Sequence, residues 1–157
     1  MSEHIAIIRW QCDTPDFLRG KYSRAHTWSF DGGVTVPASS APSAVPVPMS
    51  NPDNVDPEEA FVASLSSCHM LTFLYFACRK GFHVDRYEDE AVGVMAKNEQ
   101  GKMWISKVTL HPKIVYGGDK RPDAGQEADL HHAAHADCFI ANSVKTDVIV
   151  SGFEHAA

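Results

Sequence analysis

Two apolar-rich extended runs open the chain. Ile5–Cys12 and Tyr22–Val36 have the residue pattern of strands, and Asp31-Gly32-Gly33 divides the second run with a composition suited to a hairpin turn. An N-terminal meander is predicted. The pattern then dissolves: six of the nine prolines fall between Val36 and Pro57 among repeated Ser, Ala and Asn, a composition that rejects helix interiors and central strands. A long surface loop is expected there. It ends at Asp56-Pro57-Glu58-Glu59, where Asp caps, Pro suits the first helical position and the acids favour the positive helix end. Arg79-Lys80-Gly81 carries the matching stop signals, cations in the last turn and a glycine for a left-handed cap.

Between those signals Ala60–Cys78 holds no Asp, Glu, Lys or Arg, which raises the reading of a membrane span. Ser64, Ser66, Ser67, His69 and Thr72 sit mid-segment and no second such segment exists in the sequence, so a helix buried on most sides is the reading preferred. Beyond Gly81, Val92 and Val94 alternate, as do Val108 and Leu110, with Asn98-Glu99-Gln100-Gly101 as a turn, which predicts a second antiparallel sheet. Asp123–Ala136 reads as a helix, broken or bent near Cys138–Ser143, and Asp147–Phe153 as a closing strand. Strands, helix, strands, helix, strand is an α+β order. At 157 residues one domain spanning 1–157 is the expectation.

Composition narrows the function. With 44% hydrophobic and 22% charged residues a packed core is expected rather than disorder. A net charge of -6, with no basic run longer than Arg79-Lys80 or Lys120-Arg121, disfavours nucleic acid as a partner. The first residues lack the basic flank, long apolar run and cleavage site of a secretory signal, so a cytoplasmic location is expected. Thiols stay reduced there, and the four cysteines (Cys12, Cys68, Cys78, Cys138) are read as catalytic, metal-binding or buried rather than as a disulfide framework.

The segment Asp56-Pro57-Glu58-Glu59-Ala60-Phe61-Val62-Ala63-Ser64-Leu65-Ser66-Ser67-Cys68-His69-Met70-Leu71 resembles the core motif of the OsmC/Ohr family of osmotically induced and organic-hydroperoxide-resistance proteins. Cys138-Phe139-Ile140-Ala141-Asn142-Ser143-Val144-Lys145 stands where that family places its second cysteine. The resemblance implies an OsmC-like fold, with antiparallel sheets around a long buried central helix, in an intertwined homodimer with two active sites at the subunit interface. It implies a peroxidatic Cys68, a resolving Cys138, a helix-start glutamate at Glu58 and an arginine from the N-terminal strands, assigned to Arg24 with Arg19 as the alternative. It further implies an organic hydroperoxide as substrate, a dihydrolipoyl or similar dithiol as reductant, and no cofactor. Cys138-Phe139 departs from the frequent Cys-Pro form, which leaves the subfamily open.

The residue types suit that chemistry on their own terms. A thiolate attacks peroxide oxygen, and a free thiol of pKa ~8.5 is mostly protonated at neutral pH, so an anion-stabilising group is needed. Cys68 is expected mid-helix, away from the helix dipole, and a guanidinium such as Arg24 would stabilise both the thiolate and the charge on the leaving oxygen. The sulfenic acid left on Cys68 condenses with a second thiol before deeper oxidation. Without the double motif Cys68 and Cys138 would read as inert core cysteines, and Glu58 as an acid favoured by the helix dipole. Cys12 and Cys78 are read as bland. Cys78 lies ten residues beyond Cys68, about 15 Å along a helix, out of disulfide reach.

Metal binding competes: His131 and His135 are four apart, Cys138 follows by three and His132 is adjacent. Nothing nearby completes the set, so a solvated or partly buried histidine face is preferred, with His69 a packed neighbour of the thiol. Phe61, Leu65, Met70, Leu71 and Phe139 are candidates for an apolar cleft lining, with core packing the default role for each. The alternatives to a peroxidase are a non-enzymatic module binding an apolar ligand and a zinc-stabilised structural protein.

Overall fold

The computed structural model describes residues 1–153. Its contacts separate into two compact units, residues 1–60 and those from 61 onward. In the first, β1 (Ala6–Arg9), β2 (His26–Phe30) and β3 (Thr35–Ala38) form an antiparallel sheet in that order. The register sets Trp28 opposite both Ile8 and Val36. The Phe30 N–H donates to the Val34 carbonyl at 2.9 Å across the predicted turn, where Gly33 takes φ +88°. Pro37 is tolerated because β3 is an edge strand, which leaves one side of its backbone outside the ladder. The proline-rich loop is pinned at its ends: Ser39 donates its N–H to Val55 and its hydroxyl accepts from the Asn51 N–H. A single 3-10 turn, Phe17–Arg19, ended by left-handed Gly20, was not foreseen.

Helix α1 (Pro57–Arg79) starts where its signals stand. The Asp56 carboxylate accepts from the Glu59 N–H at 2.8 Å and the Glu59 carboxylate accepts from the Asp56 N–H at 3.2 Å, a closed capping box. At the other end the Phe82 N–H reaches the Ala77 carbonyl and the Gly81 N–H the Cys78 carbonyl, with Gly81 at φ +77°. This is the paired 6→1 and 5→2 bonding of a Schellman stop.

In the second unit β4 (His83–Asp89) pairs antiparallel with β7 (Pro112–Gly117), and β5 (Val92–Lys97) pairs antiparallel with β6 (Met103–Leu110). β8 (Asp147–Val150) runs parallel to β6, so this sheet is mixed, not purely antiparallel as expected. Helix α2 (Ala124–Asp137) is opened by a capping box between Asp123 and Gln126 and ends at Cys138, beyond which a 3-10 turn, Ala141–Ser143, produces the expected bend. The elements make an α+β fold.

α1 presents Leu65, His69, Phe73 and Ala77, spaced four apart, to the interior. Phe73 and Ala77 meet Phe82, Leu130 and Ala134 in one core, while Leu65 meets Val108, Leu110 and Val150 in another. Gly93 on β5 is required by this packing, because a Cβ there would stand 2.5 Å from Val62 Cγ2 of α1. The helix is long and apolar enough to cross a membrane, at 23 residues and a mean hydropathy of 1.5. Its inward stripe nevertheless supplies central side chains to both cores. The opposite stripe is uncovered within one chain, with Leu71 60% and Tyr75 55% exposed, so burial on most sides is not reached by the chain alone. Apolar residues surround the helix, and the sequence pattern therefore does not mark which face the chain itself covers.

Candidate active site

Cys68 lies half-buried on the middle of α1, its carbonyl accepting from the Thr72 hydroxyl at 2.9 Å. Cys138 caps the end of α2 and is 1% exposed. Cys68 is its side-chain neighbour. Burial first, and then the neighbouring Cys68 thiol, push the Cys138 thiol up to about 11, against the opposing pull of the Ala141 and Ile140 N–H groups. Two cysteines 70 positions apart are thus brought together, one dry and protonated, the other reachable from solvent.

An open groove of about 460 Å³ is lined by residues that follow the two cysteines in sequence, Leu71, Thr72, Tyr75 and Phe76 of α1 and Phe139 and Asn142 after α2; neither sulfur lines it. Leu71 and Phe139 therefore line a cleft, as expected of them. Leu65 does not: it is fully buried in the core, with Phe61 packed against it. Ser66, two residues before Cys68 on α1, donates its hydroxyl to Asp89, whose other carboxylate oxygen accepts from the His111 N–H at 2.6 Å. That carboxylate fastens α1 to the end of β4.

Glu58 and Arg24 belong to the first unit. Glu58 is half-buried on the first turn of α1, and because Asp56 and Glu59 close the capping box its carboxylate is not consumed in capping. Along the continuous helix it is ten residues from Cys68, about 15 Å at the usual rise. Arg24 is half-buried just before β2 and donates to the Gly20 carbonyl at 3.0 Å and the Tyr22 carbonyl at 2.5 Å, with its guanidinium 3.6 Å from the Tyr22 ring centroid. Tyr22 in turn packs on Phe17 and Trp10. The alternative, Arg19, is exposed and pairs with Asp16 at 3.4 Å. Cys12 is exposed and donates to the Thr14 carbonyl, and Cys78 is exposed on the same helix as Cys68.

The histidine cluster does not converge. His131 is 2% exposed, while His132 and His135 are on the surface, and among the described residues no three His, Cys, Asp or Glu side chains gather to hold a metal ion. The expectation of a solvated or partly buried His131 is corrected: it meets His69, 1% exposed, through a 3.0 Å bond between His69 Nε2 and His131 Nδ1. Burial, with His135 adding and Asp89 opposing, lowers the His69 pKa to about 4, and burial and His69 lower that of His131 to about 3. The readable signal was the four-residue spacing of buried positions, Leu65-His69-Phe73-Ala77 on α1 and Leu130-Ala134-Cys138 beside His131 on α2.

This pair sets an acid limit on stability. Both folded pKa values lie below the ordinary 6.5, so the neutral pair contributes fully above about pH 6.5, and that contribution is lost as pH falls through about 4 for His69 and about 3 for His131. The urea midpoint is expected to decline through that window, and to decline less in a His69→Gln/His131→Asn protein, which isolates the histidines from the carboxylates that titrate with them. Superimposable acid profiles for the two proteins would contradict this.

An α+β fold built around a long helix thus brings two thiols, Cys68 and Cys138, into one neighbourhood. The OsmC-like protein family model matches residues 50–151, and the chain belongs to that family. An OsmC-like protein of unknown function from Vibrio cholerae is similar at 52% identity over 96% of this chain and 99% of that one, with a TM-score of 0.94. Organic hydroperoxide resistance proteins share the fold at lower identity. That of Elizabethkingia anophelis has 18% identity and a TM-score of 0.69 over 96% of this chain and 93% of its own. That of Bacillus subtilis has 21% and 0.65 over 95% and 96%. No curated protein matches the chain.

Proposed function

We propose that the protein is a thiol-dependent peroxidase that reduces organic hydroperoxides in the cytoplasm and works as a homodimer. The observation that carries this reading is that Cys138, buried and with its thiol pushed up to about 11, has Cys68 as its side-chain neighbour. The fold shared with organic hydroperoxide resistance proteins supports it.

Cys68, as thiolate, attacks the terminal peroxide oxygen. The O–O bond breaks, Cys68 becomes a sulfenic acid, and the alkoxide leaves as an alcohol after taking a proton. Cys138 then attacks the sulfenic sulfur, an S–S bond forms, and the hydroxyl departs as water. An external dithiol of the dihydrolipoyl type returns the pair to thiols by exchange, its own sulfurs becoming the disulfide. The alkyl group of the substrate lies along Leu71, Tyr75 and Phe139, and burial of that apolar surface favours alkyl hydroperoxides over hydrogen peroxide. Arg24 stabilises the thiolate and the departing oxygen, and Glu58 orients that guanidinium.

The homodimer is supported by the uncovered stripe of α1. Leu71 and Tyr75 stand open on a long apolar helix, and a second copy of the chain packed across a two-fold axis closes the open side of the groove they line. The test is peroxide consumption with t-butyl hydroperoxide and dihydrolipoamide. Turnover supports the peroxidase. Binding of apolar molecules without turnover would replace it with a non-catalytic binding module.

Cys138→Ser is expected to consume about one equivalent of peroxide and then stop, with Cys68 passing to sulfinic acid under excess oxidant because no thiol intercepts the sulfenic acid. Mass spectrometry of the oxidised parent should find the Cys68–Cys138 bridge. A bridge from Cys68 to Cys12 or Cys78 would refute the pairing.

A further inference from the structure

His69 and His131 face each other in a dry contact between the two helices that carry the thiols. Their rings are nearly parallel, 9° apart, with centroids 5.3 Å apart, and Phe73 and Phe153 close against His131 at 4.5 and 4.7 Å. The outer nitrogens, His69 Nδ1 and His131 Nε2, are buried and have no hydrogen-bond partner among the described residues. The single N···N bond is therefore the only hydrogen bond either ring makes among the described residues, and it forms only where the two helices hold one mutual position. His69 directly follows Cys68, and His131 precedes Cys138 by two helical turns.

We propose that the His69–His131 bond is a positioning element of the active site, fixing α1 against α2 so that Cys68 and Cys138 stay within bonding reach and the sulfenic acid is captured as a disulfide. The inference rests on the peroxidase reading of the two cysteines. Neither ring touches the reacting atoms. Its effect falls on the second chemical step, sulfur to sulfur, and not on the first, because of the two thiols the attack on peroxide uses only Cys68. Low basicity of both rings, caused chiefly by burial, keeps the pair neutral at pH 7. The titratable groups with an electrostatic reach to His69 are Asp89 at the end of β4 and His135 on the outer face of α2, and their pulls oppose each other. Two buried rings with only one bond between them are costly for stability alone, and a pair of apolar side chains would fill the same space. What a directional bond adds is a defined separation of the helices.

The geometry gives a test in which similar substitutions have opposite outcomes. His69 uses its Nε2, so His69→Gln places an amide at the same reach, whereas His69→Asn falls short by one methylene. His131 uses its Nδ1, so His131→Asn matches and His131→Gln overshoots. Each protein, confirmed folded by circular dichroism, is treated with t-butyl hydroperoxide at pH 7 and sampled by mass spectrometry for Cys68 sulfenic acid, the Cys68–Cys138 bridge and Cys68 sulfinic acid.

Expected are parent-like bridging in His69→Gln and His131→Asn, and bridging about tenfold slower in His69→Asn and His131→Gln, with sulfenic acid formed at the parental rate and sulfinic acid accumulating under excess peroxide. Equal bridging in all four overturns the positioning role. So does slowing in all four, or slowing that merely follows loss of stability, since a purely structural role would not sort them by reach. If the parent itself forms no Cys68–Cys138 bridge, the reading of the cysteines fails and this inference with it.

Discussion

Cys68→Ser is expected to abolish peroxide turnover while leaving the fold in place. A serine hydroxyl is weakly nucleophilic, and no general base is bonded to this position: the polar neighbour of Cys68 is the Cys138 thiol, itself pushed up to about 11 and so a poor proton acceptor. Loss should be at least about a thousandfold, the scale on which removal of a covalent nucleophile acts. The half-buried side chain exchanges sulfur for oxygen with little change of volume, so thermal stability should stay within about 1 kcal/mol of the parent. Peroxide consumption is followed by loss of dihydrolipoamide, and stability by urea denaturation. Undiminished turnover in a folded Cys68→Ser protein would end the mechanism.

The second large effect is a gain. Glu58 and Cys68 share the unbroken helix α1 ten residues apart, so about 15 Å separates their backbones and direct cooperation within one helix is excluded. If two α1 helices pack antiparallel about a two-fold axis, the Glu58 end of one lies near the centre of the other, and the symmetry makes two such sites. Cys68→Ser and Glu58→Gln proteins, each poorly active alone, should then recover activity when mixed under conditions of subunit exchange. With equal amounts, half the dimers are mixed and each has one intact site of two, so recovery should approach about a quarter of the parental activity. Absence of recovery, once mixed dimers and the weakness of both single mutants are demonstrated, would reject a shared site.

The sequence carried the parts of this fold that are written locally. Asp56, Pro57 and Gly81 marked the ends of α1 to the residue, and Asp123 marked the start of α2, because caps and stops are short-range chemistry. β4 escaped. Its inward residues Val84 and Tyr87 are three apart, since the register shifts between Val84 and Arg86, and the interrupted alternation no longer reads with period two. The parallel pairing of β8 with β6 escaped too, as strand direction is set by the path of the chain through α2 and not by the residues of either strand.

The motif named Cys68 and Cys138, and their contact is a tertiary fact that spacing alone does not give. The His69–His131 bond, 62 residues across the chain, is likewise invisible to local pattern, although the burial of each ring follows from its stripe. Leu65 takes the core role that is the default for an apolar residue, while Leu71 lines the groove, and the sequence does not separate them because an apolar residue on an apolar helix carries no mark of its direction.

The unequal burial of the two sulfurs decides which of them a reductant meets. In the oxidised form of the proposed cycle, a dithiol arriving from solvent finds Cys138 sealed at 1% exposure at the end of α2 and Cys68 only half-buried. The mixed disulfide would then form on Cys68, with Cys138 as the leaving group. A thiol pushed up to about 11 is a poorer anionic leaving group than an ordinary one, so the burial of Cys138 burdens regeneration by the reductant and not the encounter with peroxide.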